Sequence, residues 1–156
     1  MVTVDFKFRL RVVDLDPCPA AVISLSLAGA QLGWWLPGTL RRISAELGRQ
    51  RVDTVGPPFV RYLHTAEGVG VEVGYQVQEA VEDAGEVVAS GLPGGPAVMA
   101  LDVVCPDVVE DARSALLAWL SARGFWAASS MREYHRDVSH GGSVHAVDVV
   151  MPYRWR

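Results

Sequence analysis

Polar and apolar residues alternate along the first part of the chain and then give way to longer apolar runs. Between residues 2 and 13, apolar and polar side chains alternate: Val4, Phe6, Phe8 and Leu10 against Thr3, Asp5, Lys7 and Arg9. This period of two is typical of a strand with one exposed face. A mostly apolar run at 21–27 follows, and it predicts a strand that is buried on at least one face.

The spacing of apolar residues then changes to that of a helix. From Trp34 to about Arg49, aliphatic residues recur every three or four positions, which predicts an amphipathic helix. Its core stripe consists of Leu32, Leu36, Leu40, Ile43 and Leu47. Pro37 falls early enough in this helix to be tolerated.

A second helix is predicted in the last third of the chain. Pro106 occupies the position of a first helical residue, and Asp107, Glu110 and Asp111 supply carboxylates that favour a helix N-terminus. Gly124 lies just past the end, where a left-handed cap is favoured. The predicted core stripe is Val109, Ala112, Leu116, Trp119 and Leu120.

Short extended segments separated by Gly and Pro complete the pattern. Ala66, Glu67 and Gly68 form a hairpin signal between two of them. The predicted segments are 59–64, 69–77, 81–90, 97–104, 131–137 and 144–151.

The strand and helix pattern occurs twice. When the chain is shifted by 76 positions, Ala97–Cys105 lies over Ala21–Gly29, and the two helices align with Gly48 on Gly124. A constant offset through strand and helix predicts two copies of one supersecondary unit. The alternative is chance similarity in a chain rich in Ala, Val and Leu.

These elements predict an α+β fold made of one domain, residues 1–156. Repeat one covers about 1–80 and repeat two about 81–156. We expect two βαββ repeats related by a pseudo-twofold axis, with antiparallel sheets and the two main helices on one face. The opposite, concave face at the seam is then the expected ligand cleft, because ligand sites favour such junctions.

Composition narrows the function classes. A net charge of −4 argues against a nucleic-acid partner, since phosphate binding needs a basic surface. No apolar run reaches the length of a membrane span and no signal peptide opens the chain, so we expect a cytoplasmic protein without a membrane partner. Cys18 and Cys105 fit no metal or redox spacing and are interpreted as thiols.

Three motifs resemble one known superfamily. They are the Gly-Pro-Pro-Phe stretch at 56–62, the segment 71–77 and the Gly-Leu-Pro-Gly-Gly turn at 91–95. Together with the segments 117–120 and 132–134, they are similar to the GyrI-like small-molecule-binding superfamily, over about residues 4–155. Its members include the effector-binding domains of multidrug-responsive regulators.

The resemblance implies a central cleft that takes flat, often cationic or aromatic compounds. It places an acidic residue at the cleft floor, for which Glu133 is the nearest match, and a second carboxylate at Asp148. The usual Glu-x-Tyr spacing is lost here because Glu133 and Tyr134 adjoin, and a slip of one residue moves a side chain to the other face. Cys105-Pro106-Asp107 also replaces a Gly-Pro-Tyr motif, which implies a changed ligand.

The remaining candidates are aromatic and ionisable residues. Core packing is the ordinary role of an aromatic side chain, but a ring that lines a cleft stacks on planar ligands and attracts cations. The candidate ligand-binding residues are Trp34, Trp35, Phe59, Tyr62, Tyr75, Glu133, Tyr134 and Asp148. Glu133 could instead be an exposed residue that pairs with Arg132 and Arg136.

Two side chains are candidates for catalysis. Glu133 and His135 are two residues apart on one predicted strand, so they share a face and could form an acid–base pair. His135, His140 and His145 lack the supporting ligands of a metal motif, and we expect no metal and no cofactor.

Three functions remain open from the sequence. The first is binding of a planar or cationic small molecule for sequestration, sensing or resistance, by a monomer or a homodimer. The second, which the resemblance also implies, is hydrolysis of reactive cyclopropane-type natural products with a pocket carboxylate. The third is inhibition of a topoisomerase by a protein–protein contact.

Overall fold

The computed structural model describes residues 2–4, 8–26, 32–65, 68–105, 108–128, 130–136 and 145–155. These residues form two helices, α1 (Leu32–Gln50) and α2 (Val109–Ala122), and ten strands. The strands are β1 (Val2–Val4), β2 (Arg9–Leu15), β3 (Cys18–Ser26), β4 (Thr54–Thr65), β5 (Gly68–Val77), β6 (Val88–Leu92), β7 (Gly95–Cys105), β8 (Trp126–Ala127), β9 (Arg132–His135) and β10 (His145–Arg154). The predicted α+β class is confirmed.

One antiparallel sheet contains all of these strands. Its order is β1-β2-β7-β10-β9-β4-β5-β3-β6, and β8 pairs with β10 outside this path. A βαββ unit occurs twice, first as β3-α1-β4-β5 and then as β7-α2-β9-β10. The two units meet where β4 pairs with β9, and Val60 lies opposite Glu133 in that ladder.

A long two-stranded ribbon joins the two ends of the sheet. β2 and β3 are separated by two residues, as are β6 and β7, yet β2 pairs with β7 and β3 with β6. Leu15 opposes Gly95 and Cys18 opposes Leu92, so the register continues unchanged across the gap. The ribbon therefore contributes strands to both ends of the sheet.

Glycine is required at position 94, where the two strands of the ribbon come very close together. A Cβ atom at Gly94 would lie 2.6 Å from Cδ of Pro17 and 2.7 Å from the carbonyl oxygen of Leu15. Both distances are shorter than carbon contacts in proteins allow. The Leu-Pro-Gly-Gly stretch, which the sequence predicts as a turn, instead continues the ribbon from β6 into β7 with the register unchanged.

Each helix covers one unit. All five residues of the predicted α2 stripe are buried, and they pack on β7 and β10. Leu36, Leu40, Ile43 and Leu47 of the predicted α1 stripe are also buried, and they pack on β3, β4 and β5. The side chain of Leu32 lies outside the described residues.

The two helices lie on the same face of the sheet, as predicted. Val60 packs against α1, and Val149 packs against α2. Both are directly opposite Glu133 in their ladders, and opposed residues project from the same face. The helix face of β9 thus lies between the two helix-covered units.

The structure confirms two copies of the unit and corrects the alignment of their strands. Ala21 of β3 packs against α1, and Val98 of β7 is the corresponding residue that packs against α2. These two residues are 77 positions apart, so the strands correspond at an offset of 77. The offset of 76 matches Ala21 with Ala97, whose neighbour Val98 faces the helix instead. The identities that revealed the repeat therefore pair residues on opposite faces.

The helices also correspond at a different offset. Arg51 follows α1 with a φ of 59°, and Gly124 follows α2 with a φ of 71°. These left-handed residues terminate the two helices and are 73 positions apart. Gly48 lies inside α1, so the predicted match of Gly48 with Gly124 is wrong.

Strand boundaries differ from the predictions in three places. The single strand predicted between residues 2 and 13 is instead two strands, β1 and β2, which pair antiparallel. β4 begins at Thr54 and contains the Gly-Pro-Pro stretch, since the register shifts between Val55 and Phe59. This irregularity tolerates prolines, which cannot donate to a ladder, and Gly56 has a φ of 75°. Of the predicted segment 81–90, only the end lies in a strand, β6.

Other predictions fall partly on residues outside the description. The hairpin is confirmed by the pairing of Thr65 with Gly68, while Ala66 and Glu67 lie outside the described residues. Pro106, Asp107 and His140 also lie outside them.

Candidate functional site

Glu133 and His135 form a buried pair on the helix face of β9. Glu133 lies opposite Val60 and Val149, and His135 lies opposite Val147. Oε1 of Glu133 is 2.9 Å from Nε2 of His135. Their side chains are 2% and 3% exposed. The predicted pairing of these two residues is therefore present, at the seam between the two units.

The surroundings of this pair are apolar. The three valines opposite it, Val60, Val147 and Val149, are completely buried. An ionised carboxylate in such surroundings is unfavourable unless a partner compensates its charge. The imidazole of His135 supplies a hydrogen bond to Glu133 in this structure.

The arginines that flank Glu133 in sequence do not pair with it. Arg132 donates from Nη2 to the carbonyl oxygen of Pro93 at 2.9 Å and from Nη1 to the hydroxyl of Tyr134 at 3.1 Å. Arg136 binds Asp102 and Asp148. The alternative that Glu133 is an exposed residue paired with these arginines is therefore wrong.

Two of the candidate aromatic residues share the helix face with Glu133. Tyr62 is two residues after Val60 in β4, and Tyr75 is in β5. Both are half-buried and pack against the cluster that contains Leu36 and Leu40 of α1. Trp34 and Trp35 are in the first turn of α1, and their side chains lie outside the described residues.

The other candidates lie on the opposite face. Phe59 is completely buried in a cluster that includes Val22 and Leu92, and Tyr134 packs against it with ring centroids 6.3 Å apart. The Tyr134 hydroxyl donates to Oε1 of Gln76 at 2.5 Å. These two aromatic rings belong to a packed core under the helix-free face.

The predicted site is thus divided between two faces. The sequence placed Glu133 and the aromatic residues together on the face that the helices leave uncovered. The structure brings Glu133, His135, Tyr62 and Tyr75 to the helix face instead. The physical reason is the period of two in a strand, which turns Tyr134 away from both of its neighbours.

Asp148 belongs to a charged cluster at one edge of the seam. Its Oδ1 accepts hydrogen bonds from the backbone N–H of Asp102 and from Nη2 of Arg136, both at 3.1 Å. Arg136 also binds Asp102, which is 3.1 Å from Arg9. Asp102 has a φ of 56° within β7, a strained conformation for a residue with a side chain.

Neighbouring charges shift the pKa values of Asp102 and Arg136. The hydrogen bond from Arg136 holds the pKa of Asp102 below its ordinary value. The same hydrogen bond and the charge of Asp148 raise the pKa of Arg136. The sequence does not predict this cluster, because Asp102 and Asp148 are 46 positions apart in the chain.

The sequence also did not predict a second ion pair, between Arg61 and Glu72. Arg61 and Glu72 are paired across β4 and β5 on the helix-free face, with side chains 12% and 13% exposed. Arg61 also donates to the carbonyl oxygen of Gly91 and to the hydroxyl of Ser90. This network connects β6 to the first unit.

The described residues contain no group of three His, Cys, Asp or Glu side chains that could hold a metal ion. Cys18 is a free thiol whose Sγ is 3.7 Å from the carbonyl oxygen of Val77. Neither described helix is long and apolar enough to cross a bilayer.

Known structures share this fold. The C-terminal domain of EcmrR superposes with a TM-score of 0.77 and 14% identity, covering 97% of this chain and 100% of that domain. The chain spans 58% of the longer EcmrR chain seen in an EcmrR–DNA complex. SAV2435 bound to tetraphenylphosphonium superposes with a TM-score of 0.61 and 11% identity, covering 93% of both chains.

A hydrolase from Listeria innocua is a third similar structure, with a TM-score of 0.63, 7% identity, and coverage of 93% and 91%. No protein-family model and no curated protein matches the chain. The solved structures establish the fold: two βαββ units whose helices lie on one face of a shared sheet. The chain therefore has the same fold as the C-terminal domain of EcmrR.

Proposed function

We propose that this chain binds a cationic aromatic small molecule on the helix face of β9, with Glu133 as the counter-ion. The observation that carries this proposal is the burial of the Glu133 carboxylate at the seam between the two helix-covered units. Binding of such a ligand would serve sequestration, sensing or resistance.

The chemistry of the seam suits a delocalised cation. A carboxylate in apolar surroundings attracts a positive charge strongly, since little water screens the interaction. Tyr62 and Tyr75 lie on the same face and offer ring surfaces, to which cations are also attracted. The similar structure of SAV2435 bound to tetraphenylphosphonium supports this ligand class.

The experiment is a titration with tetraphenylphosphonium, followed by calorimetry, of the wild type and Glu133→Gln. We expect the substitution to weaken binding about 100-fold, because it removes the buried counter-charge and keeps the shape of the side chain. Glu110→Gln is the matched control, since Glu110 is an exposed residue on α2. Equal affinities of Glu133→Gln and the wild type would contradict the proposal.

A second candidate function is hydrolysis. The 2.9 Å contact of Glu133 with His135 resembles a carboxylate that orients an imidazole, and an oriented imidazole can take a proton from water. The likeness to a hydrolase from Listeria innocua is compatible with this role.

The test of hydrolysis uses a cyclopropane-containing alkylating natural product and chromatographic detection of the ring-opened product. We expect turnover by the wild type and a loss of about 100-fold or more in both His135→Gln and Glu133→Gln. Turnover that persists in both variants would show that these residues are not the catalytic pair.

A further inference from the structure

The helix-free face of β9 carries a buried arginine, Arg132. This residue is 2% exposed, and a guanidinium keeps its charge in any protein environment. We propose that Arg132 binds the carboxylate group of a small molecule, at a site separate from the proposed cation site. The two sites are independent of each other, because Arg132 and Glu133 are adjacent in one strand and project from opposite faces.

The hydrogen-bond partners of Arg132 among the described residues are neutral groups. Nη2 donates to the carbonyl oxygen of Pro93 at 2.9 Å, and Nη1 donates to the hydroxyl of Tyr134 at 3.1 Å. These bonds satisfy two of the N–H donors, but they bring no negative charge to the guanidinium. A buried charge is unfavourable unless an opposite charge compensates it. Arg132 is therefore suited to a partner that carries a negative charge.

The neighbouring strand β4 brings a second arginine to the same face. Arg61 lies directly opposite Arg132 in the ladder of β4 and β9, and opposed residues project from one face. Arg61 is paired with Glu72 of β5. Asp148, on the neighbouring strand β10, is paired with Arg136. Both carboxylates thus have an arginine of their own, and Arg132 has no carboxylate partner among the described residues.

The remaining donors of the guanidinium fit a carboxylate. Nε of Arg132 is buried and has no hydrogen-bond acceptor among the described residues. Nε–H and an N–H of the adjacent Nη point in parallel from one edge of the guanidinium, and the two oxygens of a carboxylate can accept both. A carboxylate carries one negative charge, which equals the charge of Arg132. A phosphate monoester carries about two at neutral pH, so the carboxylate is the better match.

A row of polar groups leads from this guanidinium towards the surface. The hydroxyl of Tyr134 accepts from Arg132 and donates to Oε1 of Gln76. Tyr134 and Gln76 are half-buried, and Pro93 is exposed. A small carboxylate approaches Arg132 beside these groups, with its apolar part against the ring of Tyr134. An aromatic carboxylate suits this ring best, since aromatic rings pack favourably on one another.

Benzoate is the probe, and the side-chain Nε–H resonances of the arginines report where it binds. The wild type is titrated with sodium benzoate at constant ionic strength, with chloride as the replaced anion. We expect the Arg132 resonance to move downfield and to saturate, because a charge-assisted hydrogen bond forms at Nε. Arg61 is the internal control, since its Nε already donates to Glu72 at 2.9 Å. Its resonance should move far less.

Variants separate the charge of Arg132 from its shape, with benzoate affinity measured by calorimetry. Arg132→Gln removes the charge and should weaken binding about 30-fold or more. Arg132→Lys keeps the charge and loses the edge with two parallel donors, so it should weaken binding about tenfold. Arg49→Gln is the matched control, because Arg49 is an exposed arginine that is paired with Glu46. Its affinity should equal that of the wild type.

Two further compounds test the chemistry of the ligand on the wild type, which covers the case in which the Arg132 variants do not fold. Benzamide has the shape of benzoate without its charge, and it should not shift the Arg132 resonance. Phenyl phosphate should bind more weakly than benzoate. Equal binding of benzamide would overturn the role of the charge, and tighter binding of phenyl phosphate would overturn the assignment to a carboxylate.

The outcomes also separate this inference from the proposed function. Benzoate that binds without a shift of the Arg132 resonance is bound elsewhere, and this result would overturn the site. The lack of any saturable shift would overturn it as well and would leave Arg132 as a structural link between β9 and Pro93. Neither result bears on the cation site at Glu133, which the titration with tetraphenylphosphonium tests separately.

Discussion

Single residues decide which face of the sheet carries the candidate site. Glu133 and Tyr134 are adjacent, and the sequence leaves open which of them faces the ligand. The answer depends on partners from other parts of the chain, Val60 and Val149, which no local pattern identifies. The chemistry of Glu133 could be predicted from the sequence, whereas its orientation could not.

Gly74 is a residue whose lack of a side chain the structure explains. A Cβ atom there would lie 2.0 Å from the carbonyl oxygen of Ala21, which belongs to the neighbouring strand. We expect Gly74→Ala to lower the free energy of unfolding by about 3 kcal/mol, since backbone must move to admit the methyl group.

Gly91→Ala is the matched control for this substitution. Gly91 lies in β6, and a Cβ atom there would point into open space. Its replacement should change the free energy of unfolding by less than about 0.5 kcal/mol. Urea denaturation of both variants measures the difference, and equal effects would contradict the close approach at Gly74.

The cluster of Asp102, Asp148 and Arg136 predicts a pH dependence of stability. Arg136 lowers the pKa of Asp102 in the folded protein below the ordinary value of 3.8. The folded state therefore binds fewer protons than the unfolded state in this range. The stabilisation is present above about pH 4 and is lost as the pH falls through the folded-state pKa.

The substitution Arg136→Gln tests this contribution. The difference in free energy of unfolding between wild type and variant should be constant from pH 5 to 7 and should shrink below pH 4. Denaturant titrations at pH 3, 5 and 7 measure it. A difference that is the same at pH 3 and pH 7 would show that Asp102 is not the group involved.

Helices and strands differ in how well the sequence predicts them. The apolar stripe of α2 is confirmed residue by residue, because a helix repeats its core face within a few turns. The strands of the two units share apolar composition, but their faces are set by cross-strand pairing. The register shift between Val147 and Val149 and the left-handed Asp102 add local irregularities that alter the repeat spacing.

The two helices provide a test of their alignment. Gly124 has a φ of 71°, so Gly124→Ala should destabilise the protein by about 1 kcal/mol. Gly48 lies inside α1 with open space at its Cβ position, so Gly48→Ala should stabilise it by roughly 0.5–1 kcal/mol. Thermal unfolding of both variants distinguishes these signs. A destabilising effect of Gly48→Ala would contradict a helical conformation at Gly48.

At the scale of the whole molecule, the two repeats are interlocked. β2 of the first repeat pairs with β7, and β6 of the second repeat pairs with β3. Val81 and Val87 from the second repeat also pack in the core under α1. The repeat itself could be predicted from the sequence, but these exchanges could not, because they join residues about 80 positions apart.

The interlocking predicts how fragments behave. We expect fragment 1–80 and fragment 81–156 each to lack cooperative unfolding, because each leaves strands without their partners. An equimolar mixture should recover the helical circular dichroism of the intact chain. Cooperative unfolding of fragment 1–80 alone would show that the repeats are independent domains.

The exchange of leading strands by the ribbon also bears on the origin of the chain. A precursor of half the length would have had one unpaired strand and one unpaired sheet edge. A twofold homodimer would pair that strand with that edge in each subunit. Val60 and Glu133 occupy equivalent places beside the pseudo-twofold axis of the two units. In an identical pair of subunits an acid at this place would face its own copy, whereas two halves joined in one chain can carry the acid in one half alone.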